Sequence, residues 1–487
     1  MMRRMTLHDD AAYLALKTHD ARFDGRLFVG VLTTGIYCRP VCRVRTPLRR
    51  NCRFFGNAAS AEREGFRPCL RCRPELAPGL SLVDSSQALA HHAARLIEQA
   101  ARSGEEAYLP EVAARLGVSD RHLRRIFQQV YGVTPIDYLG TQRLLLAKQL
   151  LTDTDLPVTQ VALASGHASL RRFNAAFLQH YRMNPRALRR QAAAPRDGST
   201  VLRLAYRPPF DIAGLMRFKA IRQLPGVETV EPLLWRHTLR CAHGGSPLSG
   251  WLQVRFVPQR HEVELSLAGT LMPAVGLILQ RVRHALDLDA DPALIAPALA
   301  TLPVPADPGL RLPGAIDGFE TAVRTVLGQQ VTVAAARTLA RRLVEAFGEP
   351  VDTPFPDLNR LFPSAERIAA ADPDQLGRLG IVRQRVGALQ ALAQAVAEGR
   401  IVLQPAAPLQ PTLQALLALP GIGEWTAQMI AMRVLAWPDA FAASDIGVLK
   451  ALGTRDVPLA EARAEAWRPW RAYAVMALWH SLEDNTP

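Results

Sequence analysis

Residues 417–445, LALPGIGEWTAQMIAMRVLAWPDAFAASD, decide how the C-terminal half of the chain is read. Apolar residues lead into a Pro-Gly-Ile-Gly turn, and a second apolar run follows. Gly421 and Gly423 let the backbone turn tightly, so amide groups at the start of the second helix can face a phosphate. Alone, such a turn is an ordinary helix–helix connection. Here Asp445 follows about 20 residues downstream, in FAASDIG. From the residues alone it reads as an exposed Asp or as a cap on the helix of IGVLKALG.

Working outward, 487 residues with 49% apolar content suggest three or four domains with sizeable cores. The fold class expected is multidomain and mainly α, with a small metal-binding α+β domain and a β-rich subdomain. Residues 1–78 form an Arg-rich, cysteine-bearing domain, and 85–190 read as helices. Residues 191–200, QAAAPRDGST, read as a linker. Residues 201–272 carry alternating runs such as WLQVRFV and VELSLAG, in strand fashion to about Leu267. Residues 273–487 are Ala/Leu/Arg-rich segments punctuated by Pro and Gly, and read as a helical domain.

Charge is uneven. Residues 1–194 hold 29 Lys+Arg against 16 Asp+Glu, and the remainder 29 against 28. A basic front half points to a polyanion partner. The bland alternative is an Arg-rich composition, since only four of the 58 basic residues are Lys. The most apolar stretch, Met429 to Ala443, is broken by Arg433, Pro438 and Asp439, so no membrane partner is expected. The N-terminus has basic residues but no apolar core, so no signal peptide is expected and a bacterial cytoplasmic, nucleoid-associated location is.

Four of the six cysteines pair as C-x3-C and C-x2-C. Cys38 and Cys42 lie in TTGIYCRPVCRVRTP, and Cys69 and Cys72 in FRPCLRCRP. That spacing suits one tetrahedral zinc ion rather than a disulfide framework. Cys52 stands outside both pairs and reads as packing. On spacing alone, the site only staples a small domain.

A degenerate repeat follows. PEVAARLGVSDRHLRRIFQQVYGVTP is echoed by TQVALASGHASLRRFNAAFLQHYRMNP about 49–50 positions later, pairing Gly117 with Gly166, Phe127 with Phe177 and Pro135 with Pro185. Each unit is a short helix, a turn and a second helix bearing Arg, the grammar of a helix-turn-helix. The recognition helices fall at about 119–129 and 170–180, and a linking helix near 142–151. Arg121, His122, Arg124 and Arg125 lie on the first, and Arg171, Arg172 and Asn174 on the second. Such side chains suit base edges and phosphates; a solvated basic face is the alternative.

These segments carry three resemblances. Residues 28–74 resemble the N-terminal domain of the Ada adaptive-response regulators. Residues 108–190 resemble the AraC-type DNA-binding domain. The hairpin with Asp445, together with YRPPFDIAGLMRFKAIR (206–222), LPGAIDGFETAVRTVLGQQVTVAAA (312–336) and WRPWRAYAVMALW (467–479), is similar to the AlkA-type 3-methyladenine DNA glycosylases.

The first resemblance implies that Cys38 accepts a methyl group from a methylphosphotriester while Cys42, Cys69 and Cys72 remain zinc ligands. Arg39, Arg43 and Arg45 would hold neighbouring phosphates. Zinc keeps a thiolate deprotonated and nucleophilic. Loss of one negative charge on methylation would strengthen binding to promoter DNA, with RNA polymerase as a further partner.

The third resemblance implies hydrolysis of the N-glycosidic bond of alkylated bases in double-stranded DNA. Asp445 would stabilise the cation-like sugar. Trp425, Trp479 and Phe218 would receive the flipped base, and Gln330 would enter the vacated stack. Core packing is the alternative for each aromatic. Met429 stands where the family has a pocket Tyr. Trp425 stands where strand-cleaving relatives have a Lys, and 401–449 contains no Lys, so a monofunctional glycosylase is expected. No cysteine follows Cys241, so the direct O6-methylguanine repair of the second methyltransferase domain of Ada regulators is not expected. A competing reading is a transcription regulator whose glycosylase half grips DNA without catalysis.

Overall fold

The computed structural model describes residues 9–20, 23–25, 27–42, 44–76, 85–103, 109–116, 118–154, 156–191, 201–243, 246–405 and 407–483. Arg43, Gly117 and nearly all of the expected linker lie outside these.

The first unit is a four-stranded sheet of β1 (Phe28–Val31), β2 (Ile36–Cys38), β3 (Cys52–Phe55) and β4 (Arg67–Pro68), in the order β3-β1-β2-β4. β2 runs parallel to β4 and antiparallel to β1. Gly30 on β1 is required by packing: a Cβ there meets the rings of Phe55 and Phe66 at 2.8–2.9 Å. Cys52 is buried with Ala12, Leu16 and Val29, which is a packing role.

Two helix-turn-helix units follow. Their second helices are Asp120–Tyr131 and Leu170–Tyr181, capped by the hydroxyls of Ser119 and Ser169. The helix between them is Pro135–Asp153, longer than expected because Thr134 caps it and Pro135 takes the first-turn position. In the second unit Gly166 turns with φ +77°, and a Cβ there meets Arg143 Nε at 2.8 Å.

A five-stranded antiparallel sheet comes next: β5 (Leu202–Ala205), β6 (Glu228–Glu231), β7 (Leu234–His243), β8 (Ser246–Val257) and β9 (Glu262–Leu267), in the order β5-β9-β8-β7-β6. The strand pattern is interrupted by a helix, Ile212–Arg222, begun by Asp211, whose carboxylate accepts the Gly214 N–H. The rest is helical, with its own large core.

The apolar core does not break where the linker was expected. Phe173, Phe177 and Tyr181 of the second helix-turn-helix share one buried cluster with Leu202, Trp235 and Leu252 of the sheet and Ile278 of helix Val275–Ala285. Helix Ser85–Ser103 also packs on Val275–Ala285.

Buried polar groups join the first unit to both neighbours. Lys148 Nζ donates to Glu75 at 2.6 Å, with both side chains almost fully buried. Arg73 pairs with Glu75 and Asp153. Arg207, 1% exposed, donates to the backbone carbonyls of Asp24 (3.2 Å) and Asp289 (3.0 Å). Its guanidinium also lies 3.7 Å from the buried Asp291 carboxylate.

Removing one member of a buried charged set costs about 3–5 kcal/mol. Arg207→Met is therefore expected to lower the stability of the full chain by about 3 kcal/mol and to speed proteolysis at the seam between residues 24 and 207. An unchanged denaturation midpoint contradicts the joint.

Candidate functional site

Parallel pairing of β2 with β4 brings the two cysteine pairs together, because Cys69 N–H donates to the Tyr37 carbonyl at 3.0 Å, one residue from Cys38. All four sulfurs lie within 4.8 Å of one another. A tetrahedral zinc with Zn–S bonds near 2.3 Å needs sulfurs about 3.8 Å apart, so the set fits that ion. Cys38, Cys42 and Cys69 are buried and Cys72 is half-buried.

Arg39 is turned inward rather than toward solvent. Its guanidinium pairs with the Asp24 carboxylate and donates to the Cys72 carbonyl at 3.2 Å, while its backbone N–H points at Cys72 Sγ (3.3 Å). In this structure the Asp24 carboxylate holds the nearly buried Arg39 side chain against the fold. Arg45 is exposed, as is Arg71 between the last two cysteines. Arg71 was legible from the C-x2-C spacing but not singled out.

On the helix-turn-helix units, Arg121, Arg124, Arg125, Arg171, Arg172 and Asn174 are exposed, opposite the buried Leu123, Phe127, Phe173 and Phe177. His122 is half-buried and shares a 3.1 Å contact with Arg125, and Arg124 pairs with Asp120 at 2.8 Å.

In the C-terminal half, helices Leu409–Leu417 and Glu424–Arg433 enclose the turn. Gly421 has φ +75°, and a Cβ there approaches Ala388 Cβ to 2.9 Å. Gly423 caps the second helix and has no side chain to occupy its first amides. Asp445 caps helix Ile446–Ala451, as its plain reading required, but its carboxylate does more. Oδ1 accepts the Val448 N–H and the Trp479 indole N–H, both at 2.9 Å, and Oδ2 accepts the Trp425 indole N–H at 2.9 Å.

Trp479 lies nearly parallel to Phe218, at 11° with centroids 6.3 Å apart. Trp425 and Trp479 thus meet at one carboxylate, and Phe218, on a third helix, stacks on Trp479. Phe218 itself is buried, and the Arg222 guanidinium sits 3.6 Å from its ring centroid, with Arg433 at 5.3 Å. Burial, then Arg222 and Arg324, push Arg433 down to about 9. Arg222 follows Phe218 by one helical turn, a spacing that reveals it in hindsight. Met429 is buried in the core.

Lys219 is buried beside Phe218 in sequence, with its amine 4.0 Å from the Trp235 ring; burial pushes it down to about 8. Gln330 is exposed, with φ +52°. Gly447 was missed altogether: a Cβ there meets Trp479 Cδ1 at 2.9 Å and Nε1 at 3.0 Å.

Family comparisons align with these elements in order. Residues 11–75 match the metal binding domain of Ada, 112–191 a helix-turn-helix domain, 201–317 the AlkA N-terminal domain, and 323–465 the HhH-GPD superfamily of base excision DNA repair proteins. A Mycobacterium tuberculosis protein named "Probable bifunctional transcriptional activator/DNA repair enzyme AlkA" is 40% identical over 98% of this chain and 97% of its own length. The chain belongs to the bifunctional AlkA family of transcriptional activator/DNA repair enzymes.

Two Escherichia coli relatives divide it between them. DNA-3-methyladenine glycosylase 2 is 33% identical over 57% of this chain and 96% of its own length. The bifunctional activator/repair enzyme Ada is 40% identical over 28% of this chain and 36% of its own length. As a bifunctional AlkA protein, the chain joins an Ada-type four-cysteine zinc site and a helix-turn-helix DNA-binding domain to a base-excision glycosylase. Among the described residues no helix is long and apolar enough to cross a membrane.

Two outcomes are expected. Metal analysis of purified protein finds one zinc per chain, reduced to a small fraction in Cys42→Ala. Gly447→Ala displaces the Trp479 indole and slows base release about tenfold, with a melting temperature close to wild type. Unaltered excision by Gly447→Ala removes the importance of that contact.

Proposed function

We propose that the chain is a monofunctional DNA glycosylase for alkylated bases of the 3-methyladenine type, with Asp445 as its catalytic carboxylate. The observation that carries this reading is the Asp445 carboxylate fixed by the indoles of Trp425 and Trp479. Alkylation at a ring nitrogen makes the base cationic, so it leaves without help from an acid. The remaining demand is charge stabilisation at the sugar as the C–N bond breaks. A negative group that cannot swing away meets it, and water then adds to the sugar carbon.

The flipped nucleotide enters where Phe218, Trp425 and Trp479 converge, and electron-rich rings favour a cationic base. Gln330 fills the vacated stack. The amides after Gly421 and Gly423 hold a phosphate of the damaged strand. No Lys stands in the hairpin, so the product is an abasic site and the strand stays intact.

The front half is proposed to act stoichiometrically on the same damaged DNA. The Cys38 sulfur attacks the methyl carbon of a methylphosphotriester: an S–CH3 bond forms, the O–CH3 bond breaks, and the phosphodiester oxyanion leaves. Bound zinc would hold the sulfur as thiolate. Arg45, which is exposed, would meet the flanking phosphates. Four thiolates around a divalent ion carry a net −2, and methylation leaves −1, which lowers repulsion from the DNA backbone. The exposed arginines of the two recognition helices then read a promoter and present the complex to RNA polymerase, in the bacterial cytoplasm at the nucleoid.

The test compares base release from alkylated duplex DNA by wild type and Asp445→Asn. A loss of about 100-fold or more, with DNA binding retained, is expected. Release at the wild-type rate overturns the enzyme reading and leaves a regulator that only grips DNA. Borohydride is expected to trap no covalent complex. Incubation with methylphosphotriester DNA is expected to place one methyl group on the peptide carrying Cys38. A methyl group on another cysteine removes Cys38 from that role.

A further inference from the structure

Two glutamines stand together at the end of helix Gly318–Leu327, and the structure gives them opposite fates. Gln330 is exposed at the tip of the turn, in a left-handed backbone conformation at φ +52°. Gln329 points inward. Its Nε2 donates to the Gly421 carbonyl at 2.9 Å and to Thr426 Oγ1 at 2.9 Å, which uses both amide hydrogens. Its own backbone carbonyl accepts from the Arg385 guanidinium.

These partners belong to three different elements. Gly421 is the left-handed glycine of the hairpin turn. Thr426, 2% exposed, directly follows Trp425, whose indole holds Asp445. Arg385 lies on helix Arg383–Ala397, which also carries Ala388, the residue that a Cβ at Gly421 would strike. One side chain therefore fastens the protruding turn to the hairpin and to the wall of the catalytic site.

Extruding a nucleotide needs two actions at once. The vacated stack has to be filled while the phosphate beside it is gripped. The two parts must keep a fixed separation, because a small misplacement forfeits the aligned geometry. We infer that Gln329 is a positioning residue for base extrusion, setting the distance between the tip at Gln330 and the hairpin at Gly421–Gly423. The inference rests on the glycosylase reading above and deepens it. Gln329 acts through the tip that fills the stack and the hairpin that grips the phosphate.

A merely structural role would slow every substrate alike, whereas a positioning role spares substrates that are already open. Two duplexes carrying the same alkylated base serve as probes. In one the lesion is paired; in the other it faces an abasic gap, so little pairing has to be broken. Gln329→Met keeps the length and loses both hydrogen bonds. Single-turnover release from the paired duplex is expected to fall about tenfold, and release from the gapped duplex less than twofold. A 2-aminopurine beside the paired lesion is expected to show a matching loss of unstacked fluorescence.

Thr426→Val removes one bond while keeping shape and keeps the test decisive if Gln329→Met folds poorly; it is expected to give the same pattern at about threefold. Equal losses on both duplexes, or none on the paired one, overturn the inference. Failure of the wild-type protein to release the base from either duplex overturns the glycosylase reading instead.

Discussion

The carboxylate of Asp445 is bonded by three N–H groups, and those bonds tie together three helices of the C-terminal half. One donor is the backbone of its own helix; the other two are indoles on the hairpin's second helix and on the last described helix, Arg471–Glu483. A half-buried carboxylate is costly to desolvate unless its lone pairs are used. Indole donors use them without bringing a positive charge, which is what the proposed role beside a cation-like sugar requires. A lysine or arginine in either position would neutralise the carboxylate. Gly447 belongs to the same constraint, since only a residue without a side chain leaves the Trp479 ring its place.

A second constraint governs how the two halves sit together. The core under the second recognition helix continues into the five-stranded sheet. The cysteine-bearing unit is clamped between them by Glu75 with Lys148 and by Asp24 with Arg39 and Arg207. Arg39 touches the Cys72 carbonyl at one end of this chain of contacts, and Arg207 reaches Asp289 at the other. Orientation between the front half and the glycosylase half is thus set by packed surfaces rather than by the length of a tether. Whatever docks the front half on DNA also fixes where the excision site points.

Much of this fold is legible in the amino-acid sequence. Metal-ligand spacing is a local property, so the four cysteines announced themselves, and the strand pairing only had to bring the pairs together. Asp445 stood out through the resemblance of the hairpin and its downstream carboxylate to the AlkA-type glycosylases, and the repeat with Phe127 and Phe177 betrayed two similar units. What escaped depends on which way a side chain turns. Arg39 stands in an Arg-rich stretch of sequence yet faces Asp24. Gln329 and Gln330 are chemically identical, and only the backbone angle at the second separates an inward residue from an outward one. Gly447 looked like any helix glycine until Trp479 arrived from 32 positions downstream. The continuous core was hidden because a small, polar stretch at 191–200 reads as a separator whatever packs on either side of it.

The most direct measurement of the central idea compares two inert abasic analogues in duplex DNA, one with a protonated ring nitrogen in place of the sugar carbon and one neutral. An oriented anion predicts that the wild-type chain binds the cationic analogue at least about 100-fold more tightly. Asp445→Asn should erase most of that preference while leaving affinity for the neutral analogue unchanged. Equal affinity of the wild-type chain for both analogues would contradict the account.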